Sequence, residues 1–203
     1  MSRREIPEIN AGSMADIAFL LLIFFLVTTT MDIDVGIPRK LPPKIDTPHT
    51  GDFFKRNVFI VNINKNNEIL VNNDKFMKLN ELKNEVLLFL DNGGGLGKEG
   101  KPCDYCEGMK LEKYSVHPNR AIVSLQSSRK TKHGDYINVT NEIVRAYNEL
   151  RERESQKFYQ ESFTAILERA KKNPLNKILK SKVKTIKDRF PMLFSEAEPQ
   201  KFE

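Results

Sequence analysis

The chain has 203 residues, a formal charge of +6, 39% hydrophobic residues and two cysteines. That length allows one span and one modest domain, and the negative mean hydropathy excludes a polytopic membrane protein. No nucleophilic triad or paired-carboxylate site stands out, Gly93-Gly94-Gly95 lacks the Lys-Ser/Thr that completes a phosphate loop, and His49, His117 and His133 are isolated. The expectation is a non-enzyme with no cofactor and no resident metal.

Residues 1–10 read as a short polar tail. Residues 11–31 follow as an apolar stretch with one charge, Asp16, and no polar residue from Ile17 to Val27. As a helix it would run about 31 Å, roughly one hydrocarbon core. A cleaved signal peptide is the rival reading. It wants a small-x-small site after the apolar run, and Thr28-Thr29-Thr30-Met31-Asp32 offers none. The flanks carry Arg3 and Arg4 on one side and Arg39, Lys40 and Lys44 on the other, so the positive-inside rule does not orient the span.

Asp16 is the anomaly. An ionised carboxylate in hydrocarbon costs about 3 kcal/mol or more, which a simple anchor has no reason to bear. A carboxyl that gains a proton on one side and releases it on the other is a minimal proton carrier. The drive available to it is about 2.3 kcal/mol per 100 mV and about 1.4 kcal/mol per pH unit. The alternative is an interfacial charge favoured by the helix dipole. Thr28, about 18 Å along the axis from Asp16, either lines the far end of a polar path or marks an interfacial helix end.

Residues 32–57 read as an extended linker, with prolines at 38, 42, 43 and 48 excluding regular helix. Residues 58–203 read as an α+β domain. Val58–Ile63 is β-branched and aromatic, hence a strand. Lys65-Asn66-Asn67 turns into a partner strand, Glu68–Val71, and Asn72-Asn73-Asp74 makes a second turn. A helix follows from Asn80, its expected N-cap, to Asp91. Leu79, Leu82, Val86, Leu87 and Leu90 form its apolar stripe, and Gly93 closes it. Residues 92–119 read as a glycine- and cysteine-bearing loop insertion, opening with the glycine-rich, flexible stretch Asn92–Gly97. Ala121–Leu125 resumes as a strand. A second helix opens at Gly134-Asp135-Tyr136 and its pattern continues to about Ala170, where Asn173-Pro174 breaks it. A third covers Leu175–Arg189, with Leu175, Ile178, Leu179, Val183, Ile186 and Phe190 on one side and lysines on the other. Met192–Ser195 reads as a final short strand. The order is β-β-α-β-α-α-β, one sheet with packed helices and a helical extension at 151–190.

Cys103 and Cys106 form a lone C-x-x-C. Zinc wants four ligands and a thioredoxin-like site wants the motif opening a helix; a local disulfide, free thiols and metal stand as the alternatives. Residues 170–190 hold eight Lys/Arg against one acid, Asp188. That block is either a solvated helix face or a surface for anionic lipid headgroups or another anionic polymer. No nucleic-acid reading motif accompanies it.

The stretch Glu8-Ile9-Asn10-Ala11-Gly12-Ser13-Met14-Ala15-Asp16, followed by the Leu/Ile/Phe run to Thr28, resembles the transmembrane signature of the ExbD/TolR family. There an Asn lies six residues before a membrane Asp, as Asn10 does before Asp16. Asp32–Pro38 is similar to the extended segment after the family's helix. The strand–hairpin–helix–strand–helix order is similar to its small periplasmic domain. One departure is Gly12-Ser13, where the family often has Thr-Pro. The resemblance does not extend to residues 92–119 or 151–190.

The resemblance implies a bacterial inner-membrane protein with a cytoplasmic N-terminus and a periplasmic C-terminal domain. It implies a homodimer inside a ring of an ExbB/TolQ/MotA-like polytopic partner. It also implies that Asp16 takes up and releases protons, and that the resulting motion passes to a TonB- or TolA-like protein serving the outer membrane. Asn10, Ser13 and Thr28 become candidate polar positions along the proton path. In the oxidising periplasm that the resemblance implies, a local Cys103–Cys106 disulfide leads over free thiols and metal. Other readings are a membrane-anchored periplasmic scaffold or adaptor without ion conduction, a TolR-like subunit, and a gliding or flagellar stator subunit.

Overall fold

The computed structural model describes residues 11–29 and 55–197. The chain divides into two compact units, one N-terminal to Pro38 and one from Arg39 onward. The first contains helix α1 (Ala11–Thr29). The tail at 1–10, Thr30, Met31 and most of the expected linker lie outside the described residues.

Among the described residues the second unit runs in the order β1 (Val58–Ile63), β2 (Ile69–Val71), β3 (Lys75–Met77), α2 (Leu79–Leu90), β4 (Ile122–Ser127), α3 (His133–Tyr159), α4 (Phe163–Lys172), α5 (Lys177–Arg189) and β5 (Phe194–Ala197). Five strands form one mixed sheet in the order β3-β2-β1-β4-β5. β1, β2 and β3 make an antiparallel meander, whereas β1–β4 and β4–β5 are parallel pairs. Parallel neighbours need long crossovers. α2 with residues 91–121 supplies the first, and α3, α4 and α5 supply the second. The fold is α+β.

Asparagines set the meander. Asn67, Asn72 and Asn73 all have positive φ, a region that Asn tolerates better than most residues. Asn64 Oδ1 accepts from the backbone N–H groups of Asn66 (2.8 Å) and Glu68 (2.9 Å), and Asn72 Oδ1 accepts from the Ile60 N–H at 2.9 Å. The turn at 72–74 leads into β3, an edge strand absent from the sequence reading. Three residues, with Phe76 exposed, carry too short a pattern to register as a strand.

Period-2 alternation buries one face of the sheet. Phe59, Val61, Ile63, Val123 and Leu125 lie in one core with Leu82, Val86, Phe89 and Leu90 of α2 and Val139, Ile143, Ala146, Tyr147 and Leu150 of α3. The Phe59 and Phe89 rings meet at 5.1 Å between centroids. α2 begins one residue before the expected N-cap: Lys78 occupies that position without a side-chain bond, and Asn80 lies inside the helix. At the other end the cap is Asp91, and Gly93 takes a left-handed backbone (φ +60°) two residues later.

Three other expectations are corrected. The helix expected to run to Ala170 stops at Tyr159, because Gln160 turns left-handed (φ 52°) and Ser162 starts a new helix. The Glu152 carboxylate accepts from the Phe163 N–H at 2.9 Å and from the Ser162 hydroxyl at 3.2 Å, so a side chain one helix earlier caps α4. The loop at 92–119, whose opening stretch Asn92–Gly97 reads as flexible, is ordered by a buried clamp. Asn92 donates to the carbonyls of Leu111 (2.9 Å) and Ser115 (2.8 Å) and accepts from the Leu111 N–H at 2.7 Å. Gly108 is required there, since a Cβ would sit 2.5 Å from the Asn92 backbone. Last, α5 starts at Lys177, capped by the Asn176 side chain, and two members of its expected apolar side face solvent: Leu175 is 93% exposed and Ile178 71%.

Candidate functional site

From Ile17 to Val27 α1 is apolar all round. Every side chain described from Ala11 to Thr28 is exposed, and none of the span is buried inside the chain. A helix of that kind belongs inside a bilayer or a protein assembly. Among the described residues it is the one helix long and apolar enough to cross a membrane.

Asp16 is the one charged residue of α1. It lies in the second helical turn, and no described residue hydrogen-bonds to it or pairs with its charge. At about 100° per residue, Ser13, Asp16 and Thr28 fall within one sector of about 120°, so these three polar positions share one side of the helix. The Thr28 hydroxyl donates back to its own helix, to the carbonyls of Phe24 (2.9 Å) and Phe25 (3.1 Å). Its proton is therefore satisfied locally, and only its lone pairs remain for a neighbour. Asn10 lies outside the described residues.

In the second unit Cys103 and Cys106 are joined as a disulfide with Cα atoms 5.6 Å apart. Between them, Tyr105 projects onto the C-terminal segment. Its hydroxyl donates to the Arg189 carbonyl at 2.8 Å, its ring meets Phe190 edge-on at 5.3 Å, and the Arg189 guanidinium lies over it at 4.7 Å. Burial pushes its hydroxyl up to about 12, against the opposing pull of Arg189. The disulfide therefore shapes a loop that docks. Closing so short a loop is worth about 2 kcal/mol in the chain-entropy account. Replacing both cysteines by serine should lower the thermal midpoint by only a few degrees and leave the far-ultraviolet circular dichroism unchanged, because Asn92 and Tyr105 still hold the loop. Loss of the folded signal would show the disulfide to be indispensable.

Beside this loop is an ionic cluster that the sequence reading missed. Arg153 grips Asp91 with two bonds, Nη1 to Oδ2 at 2.6 Å and Nη2 to Oδ1 at 2.7 Å. It also reaches Glu107 at 3.1 Å. Lys157 pairs with Glu107. Glu154, fully buried, pairs with Arg189 at 2.9 Å and lies 3.6 Å from Lys157. The Asp91 carboxylate raises the Arg153 guanidinium further, while the Lys157 bond and then the Arg153 charge hold Glu107 below the usual carboxylate range. Three cations meet three carboxylates, so little net charge is left for a ligand. The cluster clasps α2, the loop, α3 and α5 together. A signal for it existed: Ile143, Tyr147, Leu150 and Glu154 follow 4-3-4 spacing, which carries a glutamate onto the core stripe.

Among the described residues no group of three or more His, Cys, Asp and Glu is placed to hold a metal ion. No curated protein and no solved structure matches the chain. A family model described as "Biopolymer transport protein ExbD/TolR" does match, over residues 2–151. That match takes in α1 with Asp16, the meander, α2, the disulfide loop, β4 and most of α3. On this match over more than half its length, the chain belongs to the ExbD/TolR family.

Proposed function

We propose that this chain is the proton-responsive subunit of an inner-membrane motor of the ExbB–ExbD type, with Asp16 taking up and releasing the protons. Membership of the ExbD/TolR family supports an energising role in biopolymer transport, and family members generally work with ExbB/TolQ-like and TonB or TolA proteins. The finer reading is that α1 crosses the membrane once as one of a homodimeric pair, enclosed by a polytopic ring. The N-terminus is then cytoplasmic, and the unit from residue 58 onward is periplasmic, relaying motion to a TonB- or TolA-like protein.

The observation that carries this reading is a lone carboxylate at the start of a run, Ile17 to Val27, that is apolar on every side. Facing lipid, an ionised Asp16 would cost about 3 kcal/mol or more. A surrounding protein that supplies water or polar groups removes that cost and opens a route to each side of the membrane. An anchored scaffold has no use for such a group, although its place in the second turn also suits an interfacial charge.

The test is proton flux in vesicles containing this chain with its polytopic partner. A potential-driven flux that requires both proteins is expected. An assembled complex that passes no protons under an imposed potential would favour the scaffold reading.

A further inference from the structure

We propose that the turn joining α4 to α5 is a docking surface for an anionic lipid bilayer. Its apex is apolar and open: Leu175 and Ile178 are 93% and 71% exposed. The Asn176 side chain accepts from the N–H groups of Ile178 (3.0 Å) and Leu179 (3.1 Å), so α5 starts at a defined place and both apolar side chains sit at a formed corner. Around that corner Lys171, Lys172, Lys177, Lys180 and Lys184 are all exposed. Lys177, Lys180 and Lys184 follow i, i+3, i+7 spacing and share one side of α5.

These lysines have no carboxylate partner among the described residues. Their neighbours do. Lys182 lies 3.9 Å from Glu161 and over the Tyr159 ring, and Arg169 also pairs with Glu161. The cations of the inner side are thus used within the fold, and those of the outer side are not. The acids of the hairpin near this stripe are Glu168, before Lys171, and Asp188, at the far end of α5. Burial first, then the Arg151 and Lys171 charges, lower the Lys187 ammonium. The N-terminal end of α5 adds its dipole to the same positive region.

Chemistry selects the occupant. A soluble anionic polymer would satisfy the lysines and leave Leu175 and Ile178 in water. A bilayer with anionic headgroups satisfies both, with ammonium groups at phosphate level and apolar tips among the acyl chains. The unit is on the same chain as a membrane-spanning candidate, so a bilayer surface is always within tether reach, which raises its effective concentration. This surface lies outside the residues that the family model matches, and it does not depend on Asp16 carrying protons.

The test uses the full chain in lipid nanodiscs, with an environment-sensitive dye on Leu175→Cys, attached under non-reducing conditions that leave the 103–106 disulfide closed. In phosphatidylglycerol discs, lipids brominated on the acyl chains should quench the dye at least about twofold more than in phosphatidylcholine discs. A dye on Glu99→Cys should not be quenched. Lys177→Glu/Lys180→Glu/Lys184→Glu, at exposed positions, should abolish the difference between lipids. Equal quenching in both lipids, or none in phosphatidylglycerol, would overturn the proposal. So would a dye shielded by added heparin but not by lipid, which would identify an anionic polymer instead.

Discussion

Asp16→Asn is expected to abolish potential-driven proton flux and reduce energised outer-membrane uptake to the unenergised background, with the protein still inserted and assembled. Asparagine has nearly the volume of aspartate and keeps a carbonyl acceptor, so packing against an enclosing partner is preserved. It cannot gain and lose a proton at accessible pH. The substitution also removes a charge whose burial in hydrocarbon costs about 3 kcal/mol, so insertion of α1 should be no worse than in the native chain. Assembly is read by co-purification with the polytopic partner, and function by dye-reported proton flux and by uptake in cells. Asp16→Glu keeps a titratable group one methylene further out and should recover part of the flux, whereas Asp16→Ala should not. Persistent flux in Asp16→Asn would remove the carboxyl from the pathway. Loss of assembly in Asp16→Asn would mean that the charge positions the partner.

The elements legible in the sequence are those whose pattern is local. The run from Ile17 to Val27 needs no tertiary context to read as a membrane helix. The alternation in Val58–Ile63, the asparagine turns and the 3/4 spacing of Leu82, Val86 and Leu90 are similarly self-contained. What escapes is set at a distance. The end of α3 at Tyr159 has no proline or glycine to announce it; it depends on Glu152 reaching forward to Phe163. The order of residues 92–119 depends on one asparagine bonding residues 19 and 23 positions away, while the composition, rich in glycine, argues for disorder. The misplaced apolar side of α5 has the same origin. Leu175 and Ile178 fit a helical stripe, but the Asn176 cap turns the chain there and leaves them in solvent. For the site, Asp16 is legible because a charge in an apolar run is itself the anomaly. The Glu154 cluster is legible only at Glu154 itself, which the 4-3-4 spacing carries onto the core stripe; its partners converge from separate elements and fit an ordinary solvated surface until they do.

Phe190→Ala should strongly destabilise the second unit, and the reason bears on what residues 151–190 are for. The family match ends at residue 151, so everything beyond reads as an appendage. The packing argues otherwise. Phe190 is fully buried in the same core as the sheet, its ring against Tyr105 of the disulfide loop and under the Arg153 guanidinium at 5.8 Å. Its carbonyl accepts from both Nε (3.0 Å) and Nη2 (2.8 Å) of buried Arg151. Four residues later β5 pairs with β4, setting Phe194 opposite Val123. Truncation to alanine removes a ring that the disulfide loop and α3 pack on, and such cavities cost about 3–5 kcal/mol. Whole domains are stable by only about 5–15 kcal/mol. Leu175→Ala, by contrast, should change stability by less than about 0.5 kcal/mol, as exposed substitutions generally do. Hydrogen exchange on the full chain in nanodiscs separates the two. Phe190→Ala should accelerate exchange in β4 and α3 together, and Leu175→Ala in neither. A Phe190→Ala protein with native protection in β4 would make the extension a removable attachment. The expected outcome makes it part of the domain itself, so that deleting 151–190 unfolds the unit rather than trimming a surface, and only point changes at the 171–184 tip can isolate what that surface does.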